Sequence, residues 1–238
     1  MTTIGRGFEL TWLGHATFLL KTPGGKTILL DPWVMGNPAC PDTFKRGLRP
    51  DAMLITHGHF DHIGDAVALG KETGATAVAI AETAAWLERK GVPKVVGMNK
   101  GGTVEVAGVR ATMVHAVHSC GIFDPDEDRI VYGGEACGYV VELENGFRIY
   151  HAGDTMVFGD MKIIGELWKP DLALLPIGDH YTMDPRQAAY AARLLGVPRV
   201  VPMHFGTFDV LKGTPEQLIQ EARGDFEVIT LKPGETLK

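Results

Sequence analysis

Four side chains able to bind a divalent cation fall within six residues of this chain: His57, His59, Asp61 and His62, in His57-Gly58-His59-Phe60-Asp61-His62. Neutral imidazole and carboxylate hold ions such as zinc, and a catalytic centre needs several of them while leaving one position for water. In an extended stretch residues two apart project to one side, so His57 and His59 can share an ion. A turn into a following helix can then aim Asp61 and His62 at a second ion close by. The bland alternative is a polar loop with accidental histidines. Nine histidines spread over 238 residues seldom put three at this spacing beside an aspartate, and the metal reading is favoured. Such a centre lowers the proton affinity of water, so that hydroxide is available near neutral pH to attack an acyl or phosphoryl centre.

The segment needs a rigid support, and the apolar run Met53-Leu54-Ile55 leading into it reads as a strand. Upstream, Phe8 to Trp12, Ala16 to Leu20 and Thr27 to Leu30 read as antiparallel strands joined by tight turns. Downstream, Ala66, Val67 and Leu69 have helical spacing, Ala75 to Ile80 reads as a strand, and Glu82 to Lys90 as a helix stopped by Gly91. The middle is β-rich. Thr103 to Val106 and Val109 to Val117 flank Ala107-Gly108, while Tyr139 to Leu143 and Phe147 to Tyr150 flank Asn145-Gly146, a strong hairpin signal. Helical patterns then cover Met161 to Trp168, Pro185 to Leu195 and Pro215 to Ala222, separated by apolar strands Leu172 to Leu175 and Arg199 to Met203. Strands and helices in both halves predict two packed sheets with helices on their outer faces.

Composition narrows the function without naming it. A hydrophobic fraction of 45% and a charged fraction of 22% are those of an ordinary globular protein. The formal charge of -6 offers no basic field for counterion release, so nucleic acid is not an expected partner. The start lacks the continuous apolar stretch of a signal peptide, and no run approaches the roughly 20 apolar residues that span a bilayer. Cytoplasmic residence is the simplest expectation. Cys40, Cys120 and Cys137 are odd in number and widely spaced, which argues against a disulfide framework and a structural zinc knuckle.

HGHFDH matches the HxHxDH signature of the metallo-β-lactamase superfamily, and the chain resembles that family over nearly its whole length. Trp12-Leu13-Gly14-His15, Leu30-Asp31-Pro32-Trp33, Ala152-Gly153-Asp154-Thr155, Leu175-Pro176-Ile177-Gly178 and Pro202-Met203-His204-Phe205 fall where the family has comparable segments. The likeness is strongest to its small metal-dependent hydrolase branch, similar to ascorbate-6-phosphate lactonase. That branch also looks related to the phospholipase D acting on N-acyl-phosphatidylethanolamine. The resemblance implies an α/β fold, an αββα four-layer sandwich, with residues 1-238 forming a single hydrolase domain and one or two metals at one edge.

Carried over residue by residue, the resemblance makes His118 the third histidine of a site with His57 and His59. It makes Asp154 the aspartate bridging two metals, and His204 the last histidine, joining Asp61 and His62 on the second ion. Alternation along the strand supports His118 over His115, since the two differ by an odd number. Asp61 is also the expected catalytic group, orienting the attacking water or accepting its proton. The cofactor is expected to be one or two divalent ions, zinc first, with manganese, iron or nickel also suited to these donors.

Other residues carry smaller claims. His15 either orients a ligand through its free N–H or is a satisfied core histidine. His180 could contact substrate but is not a ligand, His115 and His151 are structural, and Cys120 is an ordinary buried thiol although it stands two residues beyond His118. Gly58, Gly153 and Gly178 permit close backbone approach around the metals. The substrate is expected to be a small cyclic ester or phosphorylated molecule, its pocket built by loops including 33-50 and 119-137. A phosphodiesterase or nuclease of the same superfamily, or a metal-binding protein without turnover, are the alternatives, and homo-oligomerisation is an open possibility.

Overall fold

Strands with one buried face recur in both halves of the chain. In a computed structural model that describes residues 4-238, they are β1 (Glu9–Trp12), β2 (Phe18–Lys21), β3 (Thr27–Leu30), β4 (Ala52–Leu54), β5 (Thr76–Ile80) and β6 (Val95–Met98). There follow β7 (Thr103–Val106), β8 (Val109–His115), β9 (Gly121–Asp124), β10 (Arg129–Tyr132), β11 (Cys137–Glu142), β12 (Arg148–His151), β13 (Leu172–Pro176), β14 (Arg199–Met203), β15 (Glu227–Val228) and β16 (Thr236–Leu237). The helices are α1 (Phe60–Ile63), α2 (Ala66–Thr73), α3 (Ala81–Arg89), α4 (Met161–Trp168), α5 (Pro185–Leu195) and α6 (Pro215–Ala222). Residues 1-3 of the expected 1-238 domain lie outside the described residues.

Two seven-stranded sheets result, ordered β16-β1-β2-β3-β4-β5-β6 and β7-β8-β11-β12-β13-β14-β15. In the first, β16, β1, β2 and β3 pair antiparallel and β3 to β6 parallel. The second repeats that order of senses, antiparallel from β7 to β12 and parallel from β12 to β15. Inward side chains such as Leu10, Phe18, Leu54, Met113, Ile149 and Leu174 form one core between the sheets. Outward ones such as Met53 and Ala77 pack under α2 and α3, while Ala173, Leu175 and Val200 pack under α4, α5 and α6. Each large side chain so buried stabilises the fold by about 1.5-3 kcal/mol. The order helix, sheet, sheet, helix is the expected αββα sandwich.

Local chemistry fixes the element ends. The α5 N-terminus is capped by Asp184, which accepts from the Gln187 N–H, with Pro185 in the first turn. Thr214 and Gln217 form a capping box on α6. Ala107 and Gly108 both have positive φ, 48° and 79°, giving a two-residue turn whose twist suits the β7–β8 hairpin.

Several elements depart from expectation. β8 stops at His115 rather than Val117, so the loop, not strand alternation, places His118. The expected loop 119-137 contains the hairpin β9–β10, and loop 33-50 contains a 3-10 turn at Asp42–Phe44. The hairpin buries Ile122 and Asp124 but leaves Phe123, Ile130 and Tyr132 exposed, so apolar residues fall on both faces and no polar-apolar alternation marks it in the sequence. β6, β15 and β16 were not expected either. The last is two residues long and exists through its pairing with β1.

Candidate metal centre

All seven candidate ligands lie where strands end at one edge of the sandwich. Beyond β4 the chain runs on to His57 and bends at Gly58 and His59, which precedes α1; that single turn carries Asp61 and His62. From the second sheet come His118 beyond β8, Asp154 beyond β12 and His204 directly after β14. His204 has φ 56°, and two neighbours of the cluster, His15 and Asp31, have φ 56° and 48°. Such conformations cost roughly 1-3 kcal/mol each and persist where surrounding structure over-determines them.

The donors converge on Asp154. Its Oδ2 lies 3.0 Å from His204 Nε2, 3.3 Å from His62 Nε2, 3.6 Å from His118 Nε2 and 3.9 Å from His57 Nε2. His57 Nε2 and His59 Nδ1 are 3.0 Å apart, and Asp61 Oδ2 is 4.0 Å from His62 Nε2 and 3.9 Å from His204 Nε2. Donors about 2.0-2.1 Å from one tetrahedral ion lie ~3.4 Å from each other, so these separations suit ligands sharing cations. Three groups of donors lie close enough to share an ion: His57, His59 and His118; His15, Asp61, His62 and His204; and His57, His62 and Asp154, which joins the other two.

Orphaned polar atoms mark the same spot. His62 Nε2, both ring nitrogens of His204 and Asp154 Oδ1 are buried without a hydrogen-bond partner. A buried unsatisfied group costs about 1-3 kcal/mol, which an ion among them would relieve. The residues therefore fit a divalent metal by spacing, donor type and unmet polarity.

The supports of these rings decide their tautomers. Asp31, fully buried, accepts at Oδ1 from the Thr56 N–H (2.8 Å) and at Oδ2 from the Thr56 hydroxyl (2.8 Å) and His62 Nδ1–H (2.7 Å). With its proton given to Asp31, the Thr56 hydroxyl accepts from His57 Nδ1–H at 3.0 Å. Both rings thus turn Nε2 toward Asp154. His59 Nε2 lies 3.2 Å from Ser119 Oγ, leaving Nδ1 for the site.

Electrostatics agree with neutral ligands around a demand for positive charge. Burial holds the pKa values of His57, His59 and His118 below the ordinary imidazole range, so their nitrogens are free to coordinate. Burial also opposes a proton on His62, but Asp154, Asp31 and Asp61 overcome it and raise that pKa well above the ordinary value. Burial would push Asp154 up, yet His204 and His62 keep it ionised, well below the carboxylate range. Asp61 likewise stays ionised at about 2, burial being outweighed by His62 and the His15 hydrogen bond.

His15 resolves as a support. Ionised Asp61 only accepts, so His15 donates Nε2–H to Asp61 Oδ2 at 2.9 Å, and its Nδ1 accepts from the Thr207 hydroxyl at 3.0 Å. Burial and nearby His204 lower its pKa to about 4, keeping it neutral. His151 is buried, donating Nε2–H to the Ala16 carbonyl and accepting at Nδ1 from the Gly153 N–H, which steadies the turn into Asp154. His115 is exposed beside Lys100 Nζ, 2.9 Å away, and outside the cluster. His180 is exposed, edge-on to Tyr181 with ring centroids 4.4 Å apart, and is not brought into the cluster. Cys120 is a buried thiol, 3.3 Å from the Gly133 carbonyl.

A Cβ at Gly58 would strike Ile122, at Gly153 Thr56 and the Cys137 carbonyl, and at Gly178 the His204 carbonyl. Sequence reasoning gave no role to Asp31, Thr56, Ser119 or Thr207. For Asp31 a signal existed: a carboxylate closing the apolar strand Ile28-Leu29-Leu30 is a charge placed at a sheet end, where burial needs partners.

Comparison with known proteins agrees with this geometry. A family described as Beta-lactamase superfamily domain matches residues 26-205. A Koribacter versatilis protein named a UPF0173 metal-dependent hydrolase is 61% identical over 231 residues, covering 97% of this chain and 98% of that one. A Roseiflexus protein of the same description is 53% identical over 245 residues, covering 100% of both. Among solved structures, Igni18, a metallo hydrolase from Ignicoccus hospitalis, superimposes with a TM-score of 0.85 at 36% identity, covering 96% of this chain and 97% of that one.

Proposed function

The chain belongs to the metallo-β-lactamase superfamily as a metal-dependent hydrolase, and from that premise we propose that His57, His59, His118, Asp154, Asp61, His62 and His204 hold two divalent ions, zinc first. The carrying observation is Asp154 Oδ2, which has a nitrogen of each of four histidines within 3.9 Å. Bound metal supplies Lewis acidity and brings the pKa of water toward neutrality.

The chain's own groups do the rest. Asp154 ties the two halves of the ligand set together. Asp61, ionised and about one-seventh exposed, is the group that orients the attacking water or takes its proton. His15 and Thr207 fix its carboxylate, and Asp31 aims His57 and His62. The substrate in this reading is a small cyclic ester or phosphorylated molecule, as suits the lactonase-like branch, and the setting is the cytoplasm. No described helix is long and apolar enough to cross a membrane. Residues 1-238 act as one hydrolase domain, consistent with β16 closing on β1.

A panel of lactones, phosphodiesters and thioesters, run on protein of measured metal content, tests the proposal. Asp61→Asn and His57→Ala should abolish turnover and leave the circular dichroism spectrum unchanged. Full activity in both variants, or hydrolysis indifferent to chelator, would overturn it.

A further inference from the structure

On the far side of the His57–His62 segment, α1, α2, α3 and the β9–β10 hairpin enclose a cleft of about 570 Å³. Clefts of roughly 300-1,000 Å³ are the size that takes small molecules. Ile63, Val67, Trp86 and Ile122 give it an apolar lining, and Phe60 and Phe123 stand at it 61% and 55% exposed. Exposed aromatic rings beside an apolar hollow leave contact area unused, which a ligand with an apolar body would cover.

The unpaired charge at this cleft is of one kind, since its one acidic lining residue, Asp126, is paired with Lys90. Lys90 is committed, its Nζ 2.5 Å from both Asp124 Oδ1 and Asp126 Oδ2. Lys71 and Arg89 line the same cleft, are exposed, and have no ion-pair partner among the described residues. On a chain with 29 acidic against 23 basic side chains, two uncommitted cations over one apolar hollow complement an anion.

The cleft adjoins the candidate centre across the His57–His62 segment, although none of the seven proposed ligands lines it. Gly58, between His57 and His59, lines it; so does Phe60, between His59 and Asp61. Phe60 also stands edge-on to Trp33, with centroids 5.7 Å apart, and Trp33 in turn lies 5.2 Å from His15. One ring is therefore shared between the cleft and the aromatic flank of the metal site.

We propose that this cleft receives the body of the substrate, an apolar chain or ring ending in an anionic group between Lys71 and Arg89, with the scissile bond at the metal centre. The inference rests on the hydrolase reading for its chemistry, but its test is a binding measurement. Full-length, metal-loaded protein is titrated by calorimetry with decanoate, decyltrimethylammonium and acetate, and compared with the double variant Lys71→Glu/Arg89→Glu.

Decanoate should bind the wild type at least tenfold more tightly than decyltrimethylammonium, and the double substitution should erase that preference. Acetate, which lacks the apolar body, should bind at least tenfold more weakly than decanoate to the wild type. Decanoate binding that is absent, or unchanged in the variant, overturns the proposal. So does light scattering that finds a dimer in the wild type and a monomer in the variant, which would give the cleft to a second copy. Esters ending in a carboxylate should show a lower KM than their trimethylammonium counterparts in the wild type alone. Protein that hydrolyses the ester panel but ignores decanoate refutes the cleft and not the centre. Protein that binds decanoate through Lys71 and Arg89 without turning over any substrate refutes the centre and not the cleft as an anion site.

Discussion

His15 and Asp61 are 46 residues apart in sequence and 2.9 Å apart in the fold, with the imidazole N–H donating to a carboxylate that faces two of the proposed ligands. This contact ties the turn after β1 to the turn in α1, and Thr207 extends it to the loop following His204. Removing such a support typically lowers metal affinity or activity 10-100-fold. His15→Ala should therefore reduce turnover by that factor and lower the metal content per chain, read by elemental analysis after dialysis. Unchanged metal content with unchanged activity would make His15 mere filling.

Asp31 sets two rings at once, one directly and one through Thr56. Asp31→Asn keeps the shape but replaces one accepting oxygen with a donor, so the His62 and Thr56 protons lose their acceptor. We expect metal affinity to fall roughly 10-100-fold, more than for Ser119→Ala, which touches His59 alone. Competition against a fluorescent chelator measures both, and equal affinities would contradict the ranking.

Gly153 has φ 62° and no space for a Cβ beside Thr56 and the Cys137 carbonyl. Gly153→Ala must shift the strand end that carries Asp154, at a cost of about 1-3 kcal/mol. At about 2-4 °C per kcal/mol for a chain of this size, calorimetry should show a clearly lowered Tm. Metal occupancy should drop with it, since the same backbone positions Asp154, the carboxylate proposed to join the two halves of the ligand set.

Acid sensitivity should reside partly in the pairing that holds the β9–β10 hairpin. The Lys90 hydrogen bond, aided by Trp86 Nε1–H, holds Asp124 at about 2, below its ordinary 3.8. A depressed carboxylate pKa contributes stability that is complete above the unfolded value and is lost as pH falls through the folded one. Wild-type stability should thus decline from about pH 4 toward 2, and Asp124→Asn should be weaker at pH 6 with a flatter profile across that window. Parallel denaturation curves for the two proteins would refute the assignment.

The parts of this molecule legible in its sequence are those fixed by local chemistry. The Ala107-Gly108 turn, the alternation in β1 and the apolar runs of β2 to β5 each follow from a few neighbouring residues. The donor-rich run from His57 to His62 was equally local. His118, Asp154 and His204 carry no such signal, because each is a single polar residue at a strand end; resemblance pointed to them, and the geometry brings them to Asp61 and His62. Thr207 and β16 were invisible, and Asp31 signalled only a need for partners, for a related reason. Their roles exist only through partners far away in sequence, such as His62, His15 and Leu10.

The shared order of senses in the two sheets gives the molecule twin halves with unlike duties. β1 corresponds in position to β8 and β3 to β12, so His15 answers to His118 and Asp31 to Asp154. In the leading half these posts brace; in the trailing half they reach into the centre. Cutting the chain between β6 and β7 would leave two fragments of one plan, neither holding the whole proposed ligand set: the first would keep the dense histidine run without its keystone, the second the keystone without that run.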